Sequence, residues 1–383
     1  MGSSAGLANS YRIGAEELDA RLGGNTGNLA FVNAIDLHLM RQGRVVPWHA
    51  PVDELKACAD LVVIACANQL GRHVDLGEHA DHLAAVGLPI IALGLGAQAA
   101  DRARDTEIPQ GTRRWLDVVA GHAPGAAPNI GVRGAYTLVQ LERFGVAARA
   151  VVIGCPSNFT NLDDDVAGLV AARRAAPVRR VAAAVGQPHW PALAEIERAI
   201  LDLVDATGGS CIVQHDNLMV RLGQGEFARI SPDEFELLRS YFRPRLAEEE
   251  FALWSRRNML CFGNVPAWMG WLARHDFVIG PRFHGIMLGL QAGIAVGCVA
   301  HDSRTAELCE TMGIPVRAAA DMPLPLTLEA LPELFPFDAD GYRHKRRALA
   351  RAYLSILKGA GLATDARLDA LAQEQPEPQA ASA

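Results

Sequence analysis

Lysine is almost missing from this chain: Lys56, Lys345 and Lys358 are the only three, and the other basic side chains are arginines. Any fixed anion site must therefore be built mainly from planar guanidinium forks, not ammonium point charges. An excess of positive charge is missing too. The formal net charge is −7, which argues against a general polyanion binder, because nucleic-acid recognition needs a concentrated basic surface. A local basic pocket for a small anion stays compatible with that balance. No apolar run reaches the length of a membrane span, and the first residues lack a basic stretch followed by an apolar one, so neither a transmembrane segment nor a signal peptide is expected. The seven cysteines include no CxxC pair. An odd, scattered set beside apolar runs reads as small buried hydrophobes in a reducing compartment. The expected location is the cytoplasm, including the inner membrane face as a peripheral site.

What remains is an ordinary globular composition, half hydrophobic and about a fifth charged over 383 residues, long enough for two domains with a core each. Strand-like and helix-like runs alternate. Segments 60–67, 89–95, 129–132 and 150–154 read as strands, with helices at 29–40, 77–86, 113–121 and 135–144. A stretch with three consecutive aspartates, 163–180, reads as a linker or surface helix. Alternation then restarts with strands at 181–185, 210–214, 259–262, 277–280 and 294–299. Repeated βαβ units predict mostly parallel sheets covered on both faces. Two Rossmann-like halves with parallel sheets facing a central cleft suit a GT-B-like α/β architecture. The expected divisions are 1–170, 171–335, a helical segment 336–372, and a disordered tail 373–383 rich in Pro, Gln, Ala and Ser.

Open parallel sheets bind ligands beyond the carboxyl ends of their strands, so the residues after each strand are the candidates. In the second half these include Gly186-Gln187-Pro188-His189, His215-Asp216-Asn217, Gly263-Asn264, Gly280-Pro281-Arg282-Phe283-His284 and His301-Asp302-Ser303-Arg304. In the first half they are Asn68-Gln69, Gly94 to Gln98, Arg133-Gly134 and Pro156-Ser157-Asn158. The early cluster Gly23-Gly24-Asn25-Thr26-Gly27-Asn28 opens a helix. Free backbone N–H groups there favour an anion, although a tight turn with an Asn or Thr cap fits equally well.

Arg282 and His284 carry more. They stand where a buried strand gives way to a helix: a fork that pairs with carboxylate or phosphate, and an imidazole expected to carry a proton near neutral pH. His79 and His82 lie on a helix that reads as solvent-exposed, with no third ligand, so no metal site is expected. No Gly-x-Ser-x-Gly elbow is present. Trp254, Trp268 and Trp271 fit either the core or the flank of the cleft.

Together these segments resemble the polysaccharide pyruvyl transferase family. The matching pieces are Gly24-Asn25-Thr26-Gly27-Asn28, Gly94-Leu95-Gly96-Ala97-Gln98, Gly131-Val132-Arg133-Gly134 and Gly154-Cys155-Pro156-Ser157. The most specific block is Asp276-Phe277-Val278-Ile279-Gly280-Pro281-Arg282-Phe283-His284-Gly285, which continues to Asp302-Ser303-Arg304 and Glu307-Leu308. The resemblance implies a GT-B-like fold, phosphoenolpyruvate as donor, a sugar-containing acceptor and a cyclic ketal product. It implies no metal and no cofactor apart from that donor substrate. It would make His284 the general acid and Arg282 and Arg133 the anion binders. Asn25, Thr26, Gly27, Asn28, Gln98, His215, Asn264, Gly285, Asp302, Ser303 and Arg304 complete the expected substrate-binding set.

The chemistry agrees. Protonating an enol ether carbon needs an acid, and a carboxylate with a phosphate needs cationic forks. Two departures stand out. The family usually carries Asp where Asn28 stands, and a glycine-rich turn gives way to Ala65-Cys66-Ala67-Asn68-Gln69. The alternatives on the same scaffold are a nucleotide-sugar glycosyltransferase and a non-catalytic small-anion-binding protein. Residues 285–299 contain no glutamate, whereas retaining glycosyltransferases often carry a pair there.

Overall fold

The computed structural model describes residues 6–7, 9–98 and 105–373; the expected tail beyond Gln373 lies outside the described residues. Two parallel sheets form the GT-B-like α/β frame that the alternation predicts. The first has β1 (Val62–Ala65), β2 (Ile90–Leu95), β3 (Ile130–Val132) and β4 (Ala150–Val152) in that spatial order. The second contains β5 (Val181–Ala184), β6 (Ser210–Ile212), β7 (Met259–Leu260), β8 (Phe277–Gly280), β9 (Ala295–Ala300) and β10 (Val316–Ala318). Its spatial order is β10-β9-β8-β5-β6-β7. Every residue of β2, β5, β8 and β9 is buried, which explains why these strands read as unbroken apolar runs with no alternation.

The second sheet winds outward in both directions from the β5–β8 pair. Such a reversal opens a crevice at the strands' carboxyl ends, and Gly186 after β5 and Arg282 after β8 stand at that crevice. The first sheet turns one face toward the second, but much of the space between them is filled. A shared apolar core includes Ile91 and Leu93 of β2, Val278 of β8, Phe31, Ile286 and Leu349. Helices Leu29–His38, Phe283–Gln291 and Ala339–Gly359 supply much of it. Separate cores cover the outer faces of the two sheets.

The stretch read as a linker holds a helix, Val166–Arg174, and Asp165 caps it by accepting from Gly168 N–H at 3.1 Å. Helices Ala15–Arg21, Val52–Cys58, Asn217–Gln224 and Glu248–Asn258 and strand β10 were not anticipated from the sequence. A division near residue 170 separates the sheets but not the packing. Leu7 N–H donates to Gly263 O at 3.1 Å, and Ala15 N–H to Glu226 Oε1 at 3.0 Å, so the first segment lies on the second lobe. Helix Ala339–Gly359 returns to β3 and β4 of the first.

Buried Arg346 fastens that returning helix. Its guanidinium donates to the carbonyl oxygens of Asn158 at 3.2 Å, Asp163 at 2.7 Å and Asn161. Arg346→Ala leaves these acceptors without their donor, and stability should drop by about 3 kcal/mol or more, since each stranded buried group costs about 1–3 kcal/mol. Urea unfolding checks this; an unchanged midpoint would mean that water replaces the guanidinium at no cost.

Candidate active site

The β8 exit is shaped by close backbone approach. Gly280 has φ 150°, and a Cβ there would collide with the Ala184 carbonyl. Gly285 lets the next helix sit on β5, since its Cβ would lie 2.7 Å from that of Ala184. Between these glycines, Arg282 N–H donates to Ala184 O at 3.1 Å. The guanidinium Nη2 donates to the carbonyls of Gly186 and, at 3.1 Å, His215. Burial draws the Arg282 pKa down to about 10, against the pull of Glu197, so it stays charged at neutral pH.

His284 lies in the first turn of helix Phe283–Gln291 and is 6 % exposed. Its Nε2 is 3.8 Å from Cys155 Sγ, and its ring centroid is 5.4 Å from that of Phe31. A Cβ on Gly27 would come within 3.1 Å of its Nδ1. The imidazole therefore faces the elements contributed by the first half of the chain, at the seam between the lobes. Burial, then the positive charges of Arg133 and Arg304, hold its pKa well below the ordinary histidine value. This corrects the expectation of an imidazole that carries a proton near neutral pH: burial first, and then two guanidinium groups, favour the neutral ring.

Arg133 follows β3 and is fully buried. Its Nε donates to Gly94 O at 2.8 Å and its Nη2 to Cys66 O at 3.4 Å, while its guanidinium carbon lies 5.8 Å from the Phe31 ring centre. Arg304 donates to Asp302 Oδ2 at 3.4 Å. Each of the three guanidinium groups keeps a buried nitrogen with no protein acceptor: Nη1 of Arg133, Nε of Arg282 and Nε of Arg304. Buried donors are nearly always paired, so three unused ones on guanidinium groups that gather around Arg304 mark a candidate anion site.

Sequence reasoning missed Glu197. It lies on helix Ala194–Thr207, fully buried. Its carboxyl accepts the N–H groups of Gly186 at 3.0 Å and Gln187 at 3.4 Å. Burial raises its pKa to about 7 despite the neighbouring Arg282. Glu197 and Arg282 thus hold the same turn from two sides, one at the Gly186 N–H and the other at its C=O. The available signal was a carboxylate on the apolar stripe of an amphipathic helix, in line with Ile200, Leu201 and Val204.

The remaining expected residues divide. Thr26 is buried and its hydroxyl donates to Gln214 O at 3.3 Å, next to Gly27. The His215 carbonyl holds Arg282. Asn25 is a helix cap, accepting from Gly27 N–H at 2.8 Å. Asn28 is turned aside, its amide donating to Leu22 O at 2.8 Å. Gln98 accepts from Asn68. Asn264 caps helix Val265–Leu272, and Asp302 caps the helix that Ser303 begins, accepting from Thr305 N–H at 2.7 Å. His79 is half-buried, stacked on Trp48 at 4.2 Å with His49 at 5.7 Å, and not on an exposed face as expected. Among the described residues no group of three potential ligands is arranged for a metal ion. Trp268 is core; the indole N–H groups of Trp254 and Trp271 donate to Asp205 and Ser210.

A model of the polysaccharide pyruvyl transferase family, a family of transferases, matches residues 19–303. No curated protein matches the chain. Several solved structures overlap loosely. A UDP co-structure of MnaA from S. aureus shows 10 % identity, covering 88 % of this chain and 84 % of its own, with a TM-score of 0.41. UDP-GlcNAc 2-epimerase from Methanocaldococcus jannaschii shows 10 % identity over 79 % and 80 %, TM-score 0.41. An α,α-trehalose-phosphate synthase (UDP-forming) from Burkholderia vietnamiensis shows 12 % identity over 91 % and 79 %, TM-score 0.40. Overlap this loose carries no argument about substrate. The family match spans well over half of the sequence and includes Arg133, Arg282 and His284: this chain belongs to the polysaccharide pyruvyl transferase family.

Proposed function

We propose that this protein transfers the pyruvate unit of phosphoenolpyruvate to a sugar-containing acceptor as a ketal, in the biosynthesis of a cell-surface polysaccharide or glycoconjugate. The observation that carries the reading is the set of buried guanidinium nitrogens without a protein acceptor on Arg133, Arg282 and Arg304, with the His284 imidazole beside Arg133 and Arg304. A small ester bearing both carboxylate and phosphate offers the acceptors these donors need. Its negative charge also offsets Arg133 and Arg304, whose positive charges add to burial in lowering the His284 pKa. Donor binding thereby raises the imidazole pKa and loads the acid. His284 then protonates the donor's methylene carbon, and positive charge develops at the adjacent carbon. One acceptor hydroxyl adds there and its proton restores His284. A second hydroxyl displaces phosphate, which leaves with the C–O bonding pair and takes up that hydroxyl's proton, and the ketal closes.

Thermal stabilisation tests the donor, because a ligand bound only by the folded state raises the unfolding midpoint. Phosphoenolpyruvate should raise it, and diphosphate sugars of uridine, guanosine and cytidine should not. A response to a nucleotide sugar with none to phosphoenolpyruvate would overturn the reading in favour of a glycosyltransferase.

The charge coupling gives a pH prediction. His284 starts with a depressed pKa and gains on binding, so complex formation takes up a proton whenever the pH lies between the two values. Donor affinity should therefore strengthen as pH falls through that window. Calorimetry in buffers of different ionisation heat should show an uptake in wild type that His284→Gln lacks. Equal uptake in both would assign the proton elsewhere, the donor phosphate included.

A further inference from the structure

The loop after β5 crosses the catalytic end of the second sheet. It starts at Gly186, held by Glu197 and Arg282. One side reaches the β6 exit, where His189 Nε2 lies 3.4 Å from Asp216 Oδ2. The other reaches the β9 exit, where Gln187 Nε2 lies 3.4 Å from His301 Nε2 and Trp190 meets His301 edge-on, centroids 5.2 Å apart at 83°. Strands β9, β8, β5 and β6 are adjacent in that order. A loop touching the exits of β6 and β9 therefore spans the exit of β8, where Arg282 stands.

Trp190 at the end of this span is 43 % exposed. It is held in place all the same. Its N–H donates to Gln187 O at 2.8 Å, its carbonyl accepts from Leu193 at 3.0 Å, and Pro188 and Pro191 restrict the backbone on both sides. A large aromatic face is thus presented to solvent, close to the anion site, on a stiff support. The neighbouring groups are an amide, imidazoles and the Asp216 carboxylate, all able to bond hydroxyls.

We propose that Trp190 is the platform on which a pyranose ring of the acceptor stacks, with Gln187, His189 and Asp216 bonding its hydroxyls. The proposal rests on the pyruvyl-transfer reading for its name of acceptor, but the binding claim is separate. A pyranose offers an apolar C–H face to the indole and hydroxyls at its rim, which matches an aromatic plate ringed by neutral and anionic acceptors. A nucleotide base would also stack there, so UDP stands among the probes.

Saturation-transfer NMR on the full chain with phosphoenolpyruvate present tests this. The probes are the methyl glycosides of glucose, galactose, mannose and N-acetylglucosamine, with UDP alongside. At least one glycoside should receive saturation on the protons of one ring face. Trp190→Ala should weaken that binding by about tenfold, the scale of one aromatic contact, and Trp190→Phe should retain most of it. The phosphoenolpyruvate midpoint shift should be the same in all three proteins. Glycoside binding that is absent in wild type or unchanged in Trp190→Ala overturns the platform, and so does a Trp190-dependent response to UDP alone. Trp190-dependent glycoside binding without any phosphoenolpyruvate shift would support the platform while removing the proposed donor.

Discussion

His284→Ala is expected to fold, to bind phosphoenolpyruvate, and to lose turnover by about 10²–10⁴-fold, the usual contribution of a positioned acid. Folding should survive because the ring makes no hydrogen bond on which an element depends. Its neighbours are the Cys155 thiol at 3.8 Å and the Phe31 ring. Donor binding should survive, because Arg133, Arg282 and Arg304 remain in place, with only the small loss of the proton-uptake coupling. The loss should therefore fall on kcat and leave the donor's KM nearly unchanged, the pattern of an interaction made in the transition state alone. Steady-state kinetics with the native acceptor, beside donor titration of the variant, separate the two effects. Full activity would remove His284 from the acid role.

Arg282→Lys is the second large effect, and it should fall on the donor. The arginine holds the carbonyls of Gly186 and His215 through Nη2 while Nε remains available. A planar fork can hold protein and ligand together; an ammonium on a flexible stem cannot reproduce that layout. Truncating one member of a desolvated charge pair costs about 2–5 kcal/mol, and the retained charge of lysine recovers part of it. Donor affinity should drop on the order of 10²-fold. Calorimetric titration with phosphoenolpyruvate measures it, and unchanged affinity would place the donor elsewhere.

Much of this architecture was legible because it depends on local pattern. Buried parallel strands are apolar runs, and their exits carry the polar residues that a sheet's carboxyl edge displays. Arg133, Arg282, His284 and Arg304 were found that way. The pKa of His284 was not legible. Its lowering comes first from burial, then from Arg133 and Arg304, and burial and the approach of Arg133 arise only once the lobes meet. Asn28 also looked like a ligand group, yet its amide serves Leu22, and nothing in a glycine-rich motif says which way a side chain turns. Glu197 and Trp190 escaped for opposite reasons. One hides on an apolar helix stripe, and the other is an exposed aromatic in a five-residue loop, where periodicity says nothing.

The crossed ends of the polypeptide have a further consequence. The opening segment is bound to Gly263 and Glu226, and the long closing helix to β3 and β4. A gene cut between the sheets would leave each fragment carrying a piece of its missing neighbour's wall and lacking its own. Neither product should be soluble by itself, whereas the two expressed together should reassemble. The same stitching, together with the shared apolar core, ties the halves at both ends of the polypeptide.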